Sequence, residues 1–531
     1  MKTMILFLIS LFSLACTGHF RELNTDKTGI TEEDMQVDFN NIGIPLEIIQ
    51  QGIYFNYDFG KGKNWPYQIM QNLSADMYSG YMHDYKPLNG GSHNSDYNLQ
   101  DGWNSTMWEN TYAYIFPQIK KSEDSTLNRY PQFYAVTKIL KVMVMHRVTD
   151  YYGPIIYTHF GYNKDNQPDS QQEAYYAFFS DLDIAIKLLT NYLQANPNAR
   201  EFSRFDILMD GKYTSWIKLA NSLRLRLAVR IAMADPTKAE TEAQKALSNA
   251  YGVFEKSDEI AAVSTHNGYT NPLGEINQSW GECYMNANME SILNGYSDPR
   301  REVYFEPCRE DAIQGKDTIP LKGKYKGIRQ GTQFAHTLYS SHSRSRITQS
   351  TPAILLTAAE VWFLRAEAAL RGWTSESTED CYRQGISTSF DQWDVRPGLY
   401  MLLNRPAADY IDAFDPNFNI EARCKVTPKW SEAESNETKL EKIITQKWLA
   451  MYPEGCEAWA EQRRTGYPRL FPVLYNNSPG YCIDTETMIR RLNFPGKLKD
   501  TDRQLYDALT GKLRGADHAG TRLWWDTGKN L

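Results

Sequence analysis

The stretch Thr438–Pro468, TKLEKIITQKWLAMYPEGCEAWAEQRRTGYP, decides how the fold is read. In its first half Leu440, Ile443, Ile444, Trp448 and Met451 fall at the spacing of one helix face. Pro453 and Gly455 interrupt that pattern. A second short helix is expected from Cys456 to Thr465, closed by Gly466 and Pro468. Inside it Trp459 sits among Glu457, Glu461, Arg463 and Arg464. An aromatic among charges of both signs points to a helix wedged between others, its charges paired across. The alternative is a packed apolar side with the charged face solvated. No nucleophile, base and orienting group come together here.

The same apolar spacing recurs along the chain. It predicts helices over Met35–Tyr54, Thr106–Ile119, Pro131–Val148, Gln171–Leu193, Tyr213–Ala234, Thr237–Ala250 and Glu376–Trp393. Thr351–Gly372 is the cleanest case, with Thr351 as the expected N-cap and Pro352 at the first helical position. Shorter helices are expected over Glu486–Leu492 and Thr501–Leu513. In Tyr213–Ala234 the run W-x2-L-A-x2-L echoes the first helix of a tetratricopeptide repeat. Arg224, Arg226 and Arg230 flank its stripe, as intramolecular ion pairs or as a solvated edge. The fold class that follows is mainly all-α, built of tetratricopeptide-like helix pairs as a right-handed scaffold with loop-rich insertions.

The N-terminus reads as a targeting signal. Lys2 supplies charge, Met4–Leu14 is a short apolar run, and Cys16 follows Ala15. Residues 1–15 are therefore expected to be a lipoprotein signal peptide, Cys16 the lipidated residue and 16–34 a tether. Residues 35–531 are expected to form one domain. No later run approaches the length of a membrane-spanning helix. The net charge of −7 argues against broad nucleic-acid binding. Six further cysteines, Cys283, Cys308, Cys381, Cys424, Cys456 and Cys482, lack zinc-site spacing, and their pairing stays open.

Three regions, 57–108, 261–350 and 397–435, are polar, turn-rich and aromatic. The first interleaves Gly, Asn, Ser and Asp with Trp65, Tyr67, Tyr78, Tyr81, Tyr85, Tyr97, Trp103 and Trp108. Such rings either pin loops to the body or stand exposed as a stacking platform for sugars. The candidate ligand-binding residues are Trp65, Tyr81, Trp103 and Trp280 for stacking, with His83, Asn98 and Asp101 bonding hydroxyls. No metal site and no cofactor are expected. The oxygen-rich loop at Asn163–Asp169 does not meet the calcium-loop pattern, and His336 and His342 in a Ser-rich loop are a weak zinc signal. The chain has no G-x-S-x-G, H-E-x-x-H, phosphate-loop or dinucleotide motif, so no catalytic residues are assigned.

Several long motifs resemble the SusD/RagB family, nutrient-capturing outer-membrane lipoproteins of the Bacteroidetes. They are D-Y-Y-G-P at Asp150–Pro154, W-x-K-L-A-N-S-L-R-L-R at Trp216–Arg226, A-E-V-W-F-L-R-A-E-A-A-L-R-G-W at Ala359–Trp373 and Y-R-Q-G-I at Tyr382–Ile386. L-E-K-I-I-T-Q-K-W at Leu440–Trp448, E-A-W-A-E-Q-R-R-T-G-Y-P at Glu457–Pro468 and W-W-D at Trp524–Asp526 complete the order. The resemblance implies a binding protein without catalytic activity, serving as the lid of a SusC-like TonB-dependent transporter. It also implies a structural role for Asp150, an outer-membrane location facing the cell exterior and a glycan or peptide ligand. A lipid-anchored glycan hydrolase is the alternative from another class.

Overall fold

The computed structural model describes residues 39–54, 65–91, 93–161, 166–265, 269–332 and 336–531. The predicted signal peptide, Cys16 and the tether lie outside the described residues, as do residues 163–165 of the oxygen-rich loop. Twelve helices of eight or more residues make the body among those described: α1 (Asn40–Ile53), α2 (Phe116–Thr126), α3 (Pro131–Tyr152), α4 (Gln171–Ala195), α5 (Tyr213–Arg230), α6 (Pro236–Leu247), α7 (Ala287–Gly295), α8 (Ala358–Leu370), α9 (Thr378–Gln392), α10 (Asn436–Met451), α11 (Gly455–Thr465) and α12 (Arg503–Gly511).

Local chemistry sets many of the starts. Ser170 and Glu173 form a capping box that opens α4, the Ser170 hydroxyl accepting from the Glu173 amide while the Glu173 carboxylate accepts from the Ser170 amide. Asp235 caps α6 and Pro236 takes its first position. Helices adjacent in sequence pack together as α3 with α4, α5 with α6 and α8 with α9. The pairs are joined because α4 also lies on α5, α5 on α8 and α8 on α10. The expected all-α scaffold of helix pairs is what forms.

Three expectations are corrected. Thr351 does not cap α8. Residues Ala353–Thr357 are a fully buried strand, β4, paired antiparallel with β2 (Ile260–Val263), and the helix starts later with Thr357 accepting from the Glu360 amide at 3.2 Å. A run of Ala, Ile and two Leu suits either element, and a distant partner strand settles it. Glu486–Leu492 is not helical. The Asp484 carboxylate accepts from the Glu486 and Thr487 amides, Met488 has a left-handed φ of 61°, and the amides of Arg490 and Arg491 bond the Ala519 carbonyl. Finally, the region 57–108 is less open than its composition implies. Short helical turns cover Trp65–Asn72, Ala75–Tyr78 and Asp101–Asn110, with Tyr67, Tyr78, Tyr81 and Tyr97 fully buried.

The charged face of α11 is not solvated. Trp459 is wholly buried, edge-on to Tyr151 at 5.2 Å, with the Arg463 guanidinium 3.6 Å above its ring. Glu457 and Glu461 face Arg230 of α5 at 2.5 and 3.4 Å, and Lys447 of α10 lies 3.1 Å from Glu461. Arg464 holds Glu367 of α8 through two parallel bonds of 2.8 and 2.7 Å. Arg226 holds Glu360 in the same way, at 2.7 and 2.6 Å. All these groups are buried, so the arginines beside the α5 stripe are intramolecular ion pairs. Two charges out of water are tolerated only with such geometry and further hydrogen bonds. Four helices are thereby locked around one polar seam.

Asp150 is also structural. Its carboxylate accepts from the Tyr175 hydroxyl at 2.7 Å and the Trp525 indole at 2.8 Å, tying α3 to α4 and to the C-terminal W-W-D. Burial pushes its pKa up, against the pull of nearby arginines. All six described cysteines are free thiols.

Candidate ligand-binding cleft

The two aromatic regions expected to form the ligand face meet through main-chain pairing. β1 (Met82–His83) and β3 (Tyr284–Met285) run antiparallel, with His83 opposite Tyr284. The Asn286 amide adds a bond to the Tyr81 carbonyl, and Ile328 and Ser343 bond to Met285 from the other side. A small core of Tyr284, Ile328 and Tyr339 fills the space beneath, with Tyr85 edge-on to Tyr284 at 5.0 Å. Gly327 is required here, because a Cβ would meet the Asn286 carbonyl oxygen at 2.5 Å.

This junction carries a cleft lined by His83, Asp84, Tyr85, Lys86, His93 and Tyr339, among others. His83 Nδ1 faces the Asp84 carbonyl oxygen, so Nδ1 carries the proton and Nε2 is an acceptor. Nε2 is buried with no protein partner among the described residues. Burial pushes the imidazole pKa down to about 4, so the ring is neutral at neutral pH. Asp84 Oδ1 accepts from the Lys86 amide at 3.0 Å, while its buried Oδ2 has no partner among the described residues. Burial, reinforced by Glu282, outweighs the Lys86 contacts and raises this carboxyl to about 8. It therefore holds a proton at neutral pH. Adjacent residues thus supply a buried acceptor and a buried donor that the protein itself leaves unused, and such groups carry a desolvation cost until something pairs with them.

Three tryptophans connect to the residues of this cleft. Trp65 is 48% exposed and opens the helical turn that carries Gln68. Gln68 bonds Glu282, Glu282 pairs with Lys86 at 2.8 Å, and Lys86 Nζ donates to the Trp280 carbonyl at 2.5 Å. Trp280 is half-buried against the core. Trp103, also half-buried, lies 5.8 Å from the His93 ring.

The candidate residues therefore separate. His83 lines the cleft, and Trp65, Trp103 and Trp280 stand in its surroundings with accessible faces. Tyr81 is corrected: its ring is fully buried against Trp448 at 5.0 Å and its hydroxyl donates to the Trp448 carbonyl, so it stacks on no ligand. Asp101 accepts from the Gly496 amide at 3.0 Å, and Asn98 is held through its amide by Asp96; neither lines the cleft. Asp84, Lys86 and His93 were not singled out from sequence. The cluster H-D-Y-K-P at 83–87 was a signal, but what distinguishes Asp84 is burial, which no local pattern encodes.

Residues 22–526 match the SusD-like family described as "Susd and RagB outer membrane lipoprotein". The chain belongs to the SusD/RagB family. A SusD homologue from Bacteroides vulgatus shares 48% identity and superimposes with a TM-score of 0.87, covering 93% of this chain and 99% of its own. A chitin-binding SusD homologue from Flavobacterium johnsoniae shares 39% identity at a TM-score of 0.86, covering 92% and 99%. A third, from Bacteroides uniformis, shares 31% identity at 0.82, with the same coverage of 92% and 99%. Among curated proteins none matches. The family is one of outer-membrane lipoproteins, and no helix of the described residues is long and apolar enough to cross a membrane.

Proposed function

We propose that this SusD-family protein captures an oligosaccharide in the β1–β3 cleft and passes it to a SusC-like TonB-dependent transporter. The observation that carries this reading is the set of accessible indoles, Trp65, Trp103 and Trp280, near the polar β1–β3 junction. A sugar presents a ring face for stacking and polar substituents for bonding. An acetamido group in particular offers a C=O to the partly exposed Lys86 ammonium, while His83 Nε2 and Asp84 Oδ2 lie buried. The chitin-binding relative at 39% identity favours such N-acetylated glycans. Lipid on Cys16 anchors the chain in the outer membrane, facing the exterior, and the anchor raises the effective concentration of a weak binder at the transporter mouth. The function is binding and not turnover: of the two carboxyls named at the cleft, Asp84 holds its proton and Glu282 is taken by Lys86 and Gln68, which leaves no base or nucleophile to work with an acid.

Calorimetric titration of chitooligosaccharides and a neutral glycan panel tests this. Binding is expected for an N-acetylated oligosaccharide, with His83→Ala and Trp280→Ala each weakening it and no product released on prolonged incubation. Retention of peptides instead of glycans would point to the other ligand class of the family, and product release to a hydrolase.

A further inference from the structure

A second cleft opens at the C-terminal end of α11, away from the β1–β3 junction. It has a volume of about 320 Å³, is open to solvent and is lined by Arg423, Arg463, Arg464, Arg469, Arg490 and Arg522. Glu486 is the one acidic residue among its lining. Six guanidinium groups around one opening stand out in a chain of net charge −7.

The carboxylates behind this wall are shared. Arg490 and Arg522 divide the single Asp526, at 2.7 and 2.5 Å. Arg464 takes Glu367 and Glu461, but Glu367 also answers Arg371, and Glu461 also answers Lys447 and Arg230. Arg469 reaches Glu441 only at 3.5 Å. Arg463 has no carboxylate within ion-pair distance among the described residues. Its Nη1 donates to the carbonyls of Asp150 and Arg490, and its Nε to that of Trp459. Its Nη2 has no acceptor, although the residue is 1% exposed. Next to it Gln462 lines the same cleft with its Oε1 unpartnered and its Nε2 directed only at the Met488 sulfur, 3.6 Å away. A buried cation short of one acceptor and rim arginines that share their carboxylates both call for a group rich in negatively charged oxygen, to which Gln462 Nε2 is a further donor.

We propose that this cleft is an oxoanion site, taking a sulfate, phosphate or carboxylate group either as a free ion or carried on an acidic sugar. Arginine's planar fork bonds such groups through two parallel N–H donors, and Arg469 and Arg522 at the rim, with side chains 56% and 42% exposed, are placed to close over it. The site is independent of the neutral-glycan reading of the β1–β3 cleft.

The test uses the full chain at constant ionic strength, with sodium chloride as the balancing salt. Sodium sulfate and, separately, a trigalacturonate are titrated by calorimetry. Saturable binding of at least one is expected at about 10 mM or below. The double variant Arg469→Gln/Arg522→Gln is expected to weaken it about tenfold while helical circular dichroism and neutral-glycan binding stay as in the parent. Tighter binding of sulfate assigns the site to free ions, and tighter binding of the trigalacturonate to sugar-borne carboxylates. No saturable binding of either probe, or equal binding by the folded double variant, overturns the proposal.

Discussion

At the level of single residues, burial decides what each ionisable group does. Asp84 illustrates the sign. Its pKa is raised from an ordinary 3.8 to about 8, so the folded chain keeps a proton that the unfolded chain loses. The stability tied to that proton is complete below about pH 4 and is lost as pH rises through about 8. Asp84→Asn keeps the shape without the titration, so its stability should be flat where the parent's declines. Urea unfolding from pH 5 to about 9 reads this directly, and a parent no more pH-dependent than Asp84→Asn across the range excludes a raised carboxyl pKa. Arg464 shows the opposite use of burial. Arg464→Met leaves Glu367 and Glu461 short of their shared partner and should cost about 3–5 kcal/mol in urea unfolding.

Secondary elements are where reading the chain worked best and where its misses are most instructive. Helices α3, α4 and α5 follow from apolar stripes that need no distant information; the structure adds the Ser170 capping box at the start of α4, while Lys212 before α5 supplies no side-chain cap. The α8 start did not follow, because β4 bonds to β2 some ninety residues earlier. Thr357→Ala removes the true cap and should cost about 1 kcal/mol, whereas Thr351→Ala should leave α8 intact. Thermal melts of the two variants separate these outcomes. The β1–β3 pairing depends on Gly327 at its back. Gly327→Ala drives a methyl into the Asn286 carbonyl and should destabilise by about 1–3 kcal/mol, with glycan affinity lost in parallel.

For the molecule as a whole, the helical stack brings the groups of the candidate cleft together from segments far apart in sequence. His83 and Tyr284 face each other across β1 and β3, which are separated by the whole of α2 to α6. Delivery to a transporter belongs to this scale. Replacing Cys16 by Ala should release the protein from the outer membrane, measured by fractionation, and should abolish growth on the cognate glycan while purified protein keeps its affinity.

The sequence by itself determined the family, the helical class and the position of nearly every long helix, because apolar periodicity and capping chemistry are local and the motifs are long and ordered. It also placed the aromatic regions that converge on the cleft. Only the tertiary structure decided which polar and aromatic groups are buried. The charges of Thr438–Pro468 were visible from the start, yet their partners lie on α5, α8 and α10, with Arg230 and Glu457 separated by 227 positions. Tyr81 became a core ring and Asp84 a proton carrier for the same reason: solvent exclusion is set by what packs above a residue, and that comes from chain segments far from it in sequence.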